Sequence, residues 1–127
     1  MINPNDAQSY LNRAELRHNL GYSRKAIADY DQAIRINPNN AKFYVNRGKI
    51  RYSLADKQGA IADFDQAIRI NPKDVLAYNN RGLIRLALAD KQGAISDLKI
   101  AASLFKEQGN RDAYQSIIEK LRRLGAY

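Results

Sequence analysis

An all-α fold of seven helices, arranged as a solenoid of antiparallel pairs, is predicted by three features of the sequence. The chain repeats itself every 34 residues, each repeat carries two amphipathic helical patterns, and an extra helix follows the last repeat. The repeat is explicit. Ala26-Ile27-Ala28-Asp29-Tyr30-Asp31-Gln32-Ala33-Ile34-Arg35-Ile36-Asn37-Pro38 returns as Ala60 to Pro72 with Tyr30 alone changed, to Phe64. Leu54 to Ile61 returns unchanged as Leu88 to Ile95. Residues 7–40 and 41–74 agree at 18 of 34 gap-free positions, which decides the fold class before any finer reading. The domain plan is residues 7–40, 41–74 and 75–108 as three repeats. Residues 1–6 are read as the remnant of a preceding one, and 109–127 as a carboxy-terminal capping helix.

The first helix of each repeat is expected over about Gln8–Leu20, Lys42–Leu54 and Leu76–Leu88. Asp6, Asn40 and Asp74 stand just before it in one phase, and their side-chain oxygens suit a free amide of the first turn. The second helix is expected to start near Ser23, Asp56 and Asp90. It ends at Asn37 and Asn71, because the residue before proline avoids helical geometry. The third repeat has Lys106 in place of proline, so its second helix has room to run on.

Apolar residues recur in phase: Tyr10, Tyr44 and Tyr78; Leu16, Ile50 and Ile84; Leu20, Leu54 and Leu88; Ile27, Ile61 and Ile95; Tyr30, Phe64 and Leu98. Small residues at Ala14, Gly48 and Gly82, and at Ala26, Ala60 and Ala94, let helix axes approach to roughly 8–10 Å. One helix pair cannot bury its whole apolar face alone, so the repeats must stack. After Gly109-Asn110, residues Ala113, Tyr114, Ile117, Ile118, Leu121 and Leu124 form one apolar stripe, as expected of a helix that closes such an array.

In the middle repeat, an aromatic at position 4, a small residue at 8, alanine at 20, an aromatic at 24, alanine at 27 and proline at 32 are Tyr44, Gly48, Ala60, Phe64, Ala67 and Pro72. This pattern resembles the tetratricopeptide repeat and covers residues 7–108. The resemblance implies a right-handed superhelical solenoid. It also implies a concave surface lined by the first helix of each repeat, and a scaffold for protein–protein interaction. Two departures stand out. Position 11, usually tyrosine, is Arg17, Arg51 and Arg85, and the third repeat has Leu98 for the second aromatic.

The phases that line the concave surface in the family carry Asn12, Asn46 and Asn80 as an asparagine column. Around it stand Lys42, Lys49, Tyr52, Leu76, Asn79, Leu83 and Leu86, with Gln8, Glu15 and His18 in the first repeat. An amide both donates and accepts, as a peptide group does, so the column suits an extended backbone. The alternative is that these asparagines bond within the array. The clamp that binds acidic chaperone carboxyl termini would need basic and amide residues where this chain has Leu11, Glu15, Asn46, Leu76 and Asn80, and only Asn46 fits. The expected ligand is therefore an extended peptide or partner helix with an acidic residue near Lys42 and Lys49 and apolar ones near Leu76, Leu83 and Leu86.

Arg13, Arg47 and Arg81, with Arg17, Arg51 and Arg85 four residues on, form two further columns, and Asp29, Asp63 and Asp97 are their expected partners across the helix pair. Left unpaired, these arginines would instead grip phosphates or acidic peptides. The alternative function is self-association through an uncovered amino-terminal repeat face, since Ile2-Asn3-Pro4-Asn5 matches Ile36-Asn37-Pro38-Asn39 in phase. Nucleic-acid binding through the basic surface (net charge +8) ranks behind both, because no basic face rich in aromatics is present to stack bases.

Enzymatic chemistry has little to work with. His18 is the one histidine, and there is no cysteine and no glycine-rich loop beside an acid–base pair. No cofactor and no metal are expected. No membrane partner is expected either, since no segment nears the roughly 20 apolar residues of a span and no secretory signal opens the chain. The default location is cytoplasmic.

Overall fold

A computed structural model describes residues 2–127; Met1, the first residue of the expected remnant, lies outside the described residues. The helices are α1 (Ala7–Asn19), α2 (Ser23–Ile36), α3 (Ala41–Ser53), α4 (Lys57–Ile70), α5 (Val75–Ala87), α6 (Lys91–Glu107) and α7 (Arg111–Arg123). No strand occurs among the described residues, so the fold class is all-α helical repeat. Two compact units are present, one running to Asn71 and holding α1–α4, the other from Pro72 to Tyr127 and holding α5–α7.

The caps follow from residue type. Asp6 accepts from the backbone N–H of Gln8, Asn40 from that of Lys42, Asp56 from Gly59, Asp74 from Ala77, Asp90 from Gly93 and Asn110 from Ala113. The second helix of the first pair is the exception. Tyr22, not Ser23, holds its cap position, makes no side-chain cap bond, and Ser23 is already helical. With Lys106 where proline would stand, α6 runs 17 residues against 14 for α2 and α4.

In the first unit, α1 packs on α2, α3 on α4, and α2 also on α3. Tyr10, Leu11, Ala14, Ala26, Tyr30, Ala33, Phe43 and Ile50 form one buried cluster. Gly48 sits where a Cβ would come within 3.1 Å of the Phe64 ring, which is why a small residue stands on that rung. In the second unit, α5 packs on α6 and α6 on α7. Ile117, Ile118 and Leu121 of α7 are buried, so its apolar stripe faces inward as expected.

Several in-phase leucines are not core. Leu16 is 59% exposed whereas Ile50 on the same rung is 4% exposed, because α2 lies against α3 and no described helix lies in the corresponding place on α1. Leu20, Leu54 and Leu88 cap the carboxyl ends of their helices and flank the turns, and all three are exposed.

Each helix pair is tied by the same ionic rung. Asp29 is 1% exposed, Asp63 2% and Asp97 1%. A carboxylate removed from water needs compensation, and each receives two guanidiniums from the partner helix. Arg13 Nη2 lies 2.7 Å from Asp29 Oδ1, and Arg17 Nη1 lies 3.1 Å from Oδ2. Arg47 and Arg51 hold Asp63 at 2.7 and 3.0 Å, and Arg81 and Arg85 hold Asp97 at 2.7 and 2.8 Å. The first arginine of each rung also lies over the tyrosine one turn earlier, with Arg13, Arg47 and Arg81 at 5.7, 5.6 and 5.6 Å from the ring centres of Tyr10, Tyr44 and Tyr78. The arginine at position 11 is thus built into the helix pair, and both columns are structural.

Two outcomes for stability follow. Asp63→Ala strips the shared anion from Arg47 and Arg51 and should cost about 3 kcal/mol in denaturant unfolding, at the low end for a broken buried pair because both arginines retain some solvent. Ala55 and Ala89 occupy the left-handed region (φ 64° each) in the turn position that glycine holds at Gly21. Ala55→Gly should therefore raise stability by about 1 kcal/mol, seen as a higher unfolding midpoint with an unchanged slope.

Candidate functional site

Within the first unit, α1 and α3 stand on either side of a hollow of about 320 Å³ whose floor comes from α2 and the core. Tyr30 and Ile50 form the floor, and both are buried. Glu15, His18 and Asn19 rise from α1. Asn46 and Lys49 rise from α3, three residues apart and hence on one helix face. Burial and the charge of Glu15 push the Tyr30 phenol up to about 12, while a hydrogen bond with the Asn46 side chain acts the other way. The Asn46 amide has donor and acceptor capacity to offer into the hollow. His18 is occupied, with Nδ1 3.3 Å from Ser23 Oγ.

The expected site residues separate into groups. Asn46 and Lys49 meet in the hollow, and Lys42 and Tyr52 are exposed on the same helix. Asn12 accepts from Gln8 Nε2 at 2.9 Å and lines a different hollow, with Ile2, Ser9, Arg13 and Leu16. The asparagine column is therefore not a row of equivalent amides: Asn12 is bonded within its own helix, whereas Asn46 opens on the hollow. In the second unit, Leu76 and Leu86 are exposed on α5 and Leu83 and Asn80 are half-buried. Asn79 does not present its amide oxygen outward: Oδ1 is buried without a hydrogen-bond partner. Its rung is filled by buried Leu11 and Val45 in the first unit, so position 5 of the repeat is an inward position here.

Asn19 and Tyr30 were not singled out as site residues from sequence. Tyr30 reads as core, which it is, yet its hydroxyl edge also belongs to the hollow. Glu15 and His18 share the helix face of the asparagine phase, and that spacing was the available signal.

Two of the rung cations, Arg13 and Arg47, are held charged. The hydrogen bond to Asp29 is the leading cause that raises the Arg13 guanidinium. For Arg47 burial pulls down, but the bonds and charges of Asp63 and Asp31 outweigh it and leave the group raised. Among the described residues no cluster of three histidine or carboxylate side chains could hold a metal, and no helix is long and apolar enough to cross a membrane.

Tyr30 gives a measurable handle on this hollow. A phenol whose folded pKa lies above its unfolded value leaves stability untouched below about 10 and removes it as pH rises from there toward about 12. Phenolate absorbance, taken as the difference between the wild type and Tyr30→Phe, should place its titration near 12. Asn46→Ala should move it higher and Glu15→Gln lower. A Tyr30 phenol titrating at the ordinary value would contradict the described geometry.

A family model described as TPR repeat matches residues 24–54 and 56–88, just over half of the chain, each segment spanning the second helix of one pair and the first of the next. No curated protein matches the chain. Among solved structures, the TPR domain of Arabidopsis OM64 is similar with a TM-score of 0.81 at 26% identity, over 92% of this chain and 94% of that one. The TPR2B domain of yeast Sti1, solved as its pHsp70 complex, gives 0.85 at 23% identity over 94% and 95%. The first TPR of Spaghetti (RPAP3), bound to the HSP90 peptide SRMEEVD, gives 0.78 at 23% identity over 95% and 97%. With the family model spanning both halves of the repeat pattern, and the helix pairs as described, the chain belongs to the tetratricopeptide repeat family.

Proposed function

We propose that the chain is a protein-interaction module that holds an extended peptide segment, and that the hollow between α1 and α3 is a principal seat for it. The carrying observation is that Asn46 and Lys49 share one open hollow over the Tyr30 and Ile50 floor. An amide with unused hydrogen-bonding capacity suits a peptide backbone, and an exposed lysine beside it suits a carboxylate. Lys42, exposed on the same helix, adds to the basic character of that wall. The apolar face of α5, with Leu76, Leu83 and Leu86, is proposed as a separate seat for aliphatic side chains. Helices held by ionic rungs are ordered before binding, so the cost of ordering falls on the ligand alone.

Two of the similar structures were solved with peptides or complexes of chaperone proteins, which supports peptide holding as the kind of function. The proposed ligand differs. Leu11 is buried, and Lys49 is the one lysine of the hollow with Glu15 across from it, so the seat suits a single carboxylate placed on the Lys49 side and not the two of an acidic chain terminus.

A peptide-array screen with the full chain, followed by titration of the best binders, tests the proposal. Selected peptides should contain an acidic residue. Lys49→Glu should weaken them by about tenfold or more, with the difference shrinking as salt rises. Asn46→Ala should weaken them by about tenfold without lowering stability, and Leu86→Asp should separately weaken those with aliphatic residues. Amidating a peptide's carboxyl terminus should leave affinity unchanged. Binders insensitive to both Lys49→Glu and Asn46→Ala would remove the hollow from the function.

A further inference from the structure

The turn between α1 and α2 breaks the repeat where the other two turns keep it. Leu54 to Ile61 returns unchanged as Leu88 to Ile95, whereas the first repeat shares only Leu20, Ala26 and Ile27 with that stretch. Tyr22 stands for the aspartate of the other turns, Arg24 for a glutamine and Lys25 for a glycine. The exchange costs a helix cap. Asp56 and Asp90 accept from the amides of Gly59 and Gly93, and Tyr22 makes no such bond. It also changes the charge, because Arg24 and Lys25 are unopposed where Asp56 and Lys57, or Asp90 and Lys91, cancel. Packing gains little in return: Tyr22 is 54% exposed, and its ring is covered on one side by Lys25, with Nζ 5.3 Å from the ring centre. A local rule broken without a packing gain marks a place shaped by something other than folding.

Two adjoining hollows open at this turn, and all their walls lie within the first unit. One, of about 280 Å³, is lined by Arg24, Ile27, Arg51, Leu54 and Asp56. The other, of about 300 Å³, runs along residues 21–25 and shares Arg24 and Leu54 with the first. Ile27 and Leu54 make the first hollow partly apolar, and two guanidiniums make it basic. Arg51 gives Nη1 to Asp63 at 3.0 Å, and Arg24 is exposed with no ion pair among the described residues. In the third repeat the equivalent of Arg51, Arg85, has Asp90 at 3.9 Å as a second anion. The walls are α2 and the carboxyl end of α3, two helices that already pack together. A helix stacked on the open side of α1 would therefore leave both hollows uncovered.

We infer that this double hollow holds an extended acidic segment of a partner protein, with one carboxylate between Arg24 and Arg51 and an aliphatic side chain two residues away against Tyr22 and Leu54. Side chains two apart on an extended chain point the same way and stand about 7 Å from each other, which suits two hollows that share a wall. The guanidiniums take the carboxylate by charge-assisted hydrogen bonds. Asp56 on the rim opposes a phosphate dianion more than a single carboxylate. A recess of this size admits one side chain and does not meet a flat bilayer. A second copy of a chain with net charge +8 would bring cations towards cations. The site is separate from the seat between α1 and α3 and does not rest on it.

The test titrates a short peptide, one glutamate with a leucine two positions on in a glycine–serine background, into the full chain carrying Lys49→Glu, so that the other seat is disabled. Amide chemical shifts should move saturably at Tyr22, Arg24 and Leu54. Glutamine for the peptide's glutamate, or Arg24→Gln in the protein, should weaken binding about tenfold. Tyr22→Asp should weaken it similarly while raising the unfolding midpoint, because it restores the missing cap. Both substitutions install the residue that the second repeat carries in that phase, so lost binding is not lost fold. No saturable shift, or binding indifferent to Arg24→Gln or to Tyr22→Asp, overturns the inference. Retention on phosphatidylserine vesicles that Arg24→Gln abolishes would make a membrane the occupant and overturn it too. A photo-crosslinking residue placed at Leu54 in the full natural chain separates the remaining sources. Capture of another stretch of the same chain, or of a second copy, overturns the inference.

Discussion

Everything in each helix pair hangs on a carboxylate that water cannot reach. Asp29, Asp63 and Asp97 would each be strongly unfavourable if buried alone, and each is satisfied only when two arginines one turn apart on the opposing helix converge on it. That requirement fixes the register of the pair, because a slide of one helical turn would leave an anion with one cation and a cation with none. It also accounts for the departure at position 11, where an arginine serves the second side of the carboxylate. The tyrosine at position 4 is drawn into the same assembly through the guanidinium above it. A helix anchored along one edge in this way presents its neighbouring positions reproducibly, and Asn46 and Lys49 are such positions flanking Arg47.

The sequence was most legible where a residue's chemistry is satisfied by its own helix or by its in-phase partner. Asp6, Asn40 and Asp74 cap as their type demands, Lys106 lets α6 run on, and the arginine–aspartate pairs close at the expected offset. It was least legible where the outcome depends on a neighbour that the phase does not specify. Ser23 shares a phase with Lys57 rather than with Asp56, and the true cap position falls on Tyr22, whose side chain cannot accept from the helix amides. Leu16 and Ile50 are the same rung, yet among the described residues a preceding helix, α2, packs only on the helix that carries Ile50.

The asparagines show the same limit at the candidate site. Phase predicts that Asn12 and Asn46 occupy equivalent backbone positions, and they do, but a side-chain amide takes whatever partner is nearest. For Asn12 this is Gln8 of its own helix, whereas Asn46 stands in a hollow with Tyr30 of the helix before. Asn79 illustrates the converse. A polar residue on a rung that is leucine and valine elsewhere is turned inward by the packing, with its amide oxygen unpaired. Repetition predicts place more dependably than it predicts chemistry.

The charge of the chain reads differently once the rungs are known. Each rung sets two cations on one anion, so the three rungs alone account for three of the eight net positive charges, and they would do so in any chain folded this way. That share of the positive charge says nothing about a ligand. What can speak to a partner is the charge left over at places the architecture does not need. Lys42 and Lys49 on α3 are of this kind. Both are exposed, and Lys49 shares a hollow with Asn46. The proposed seat between α1 and α3 thus pairs an amide with a cation, which is the recognition chemistry of a peptide group followed by a carboxylate.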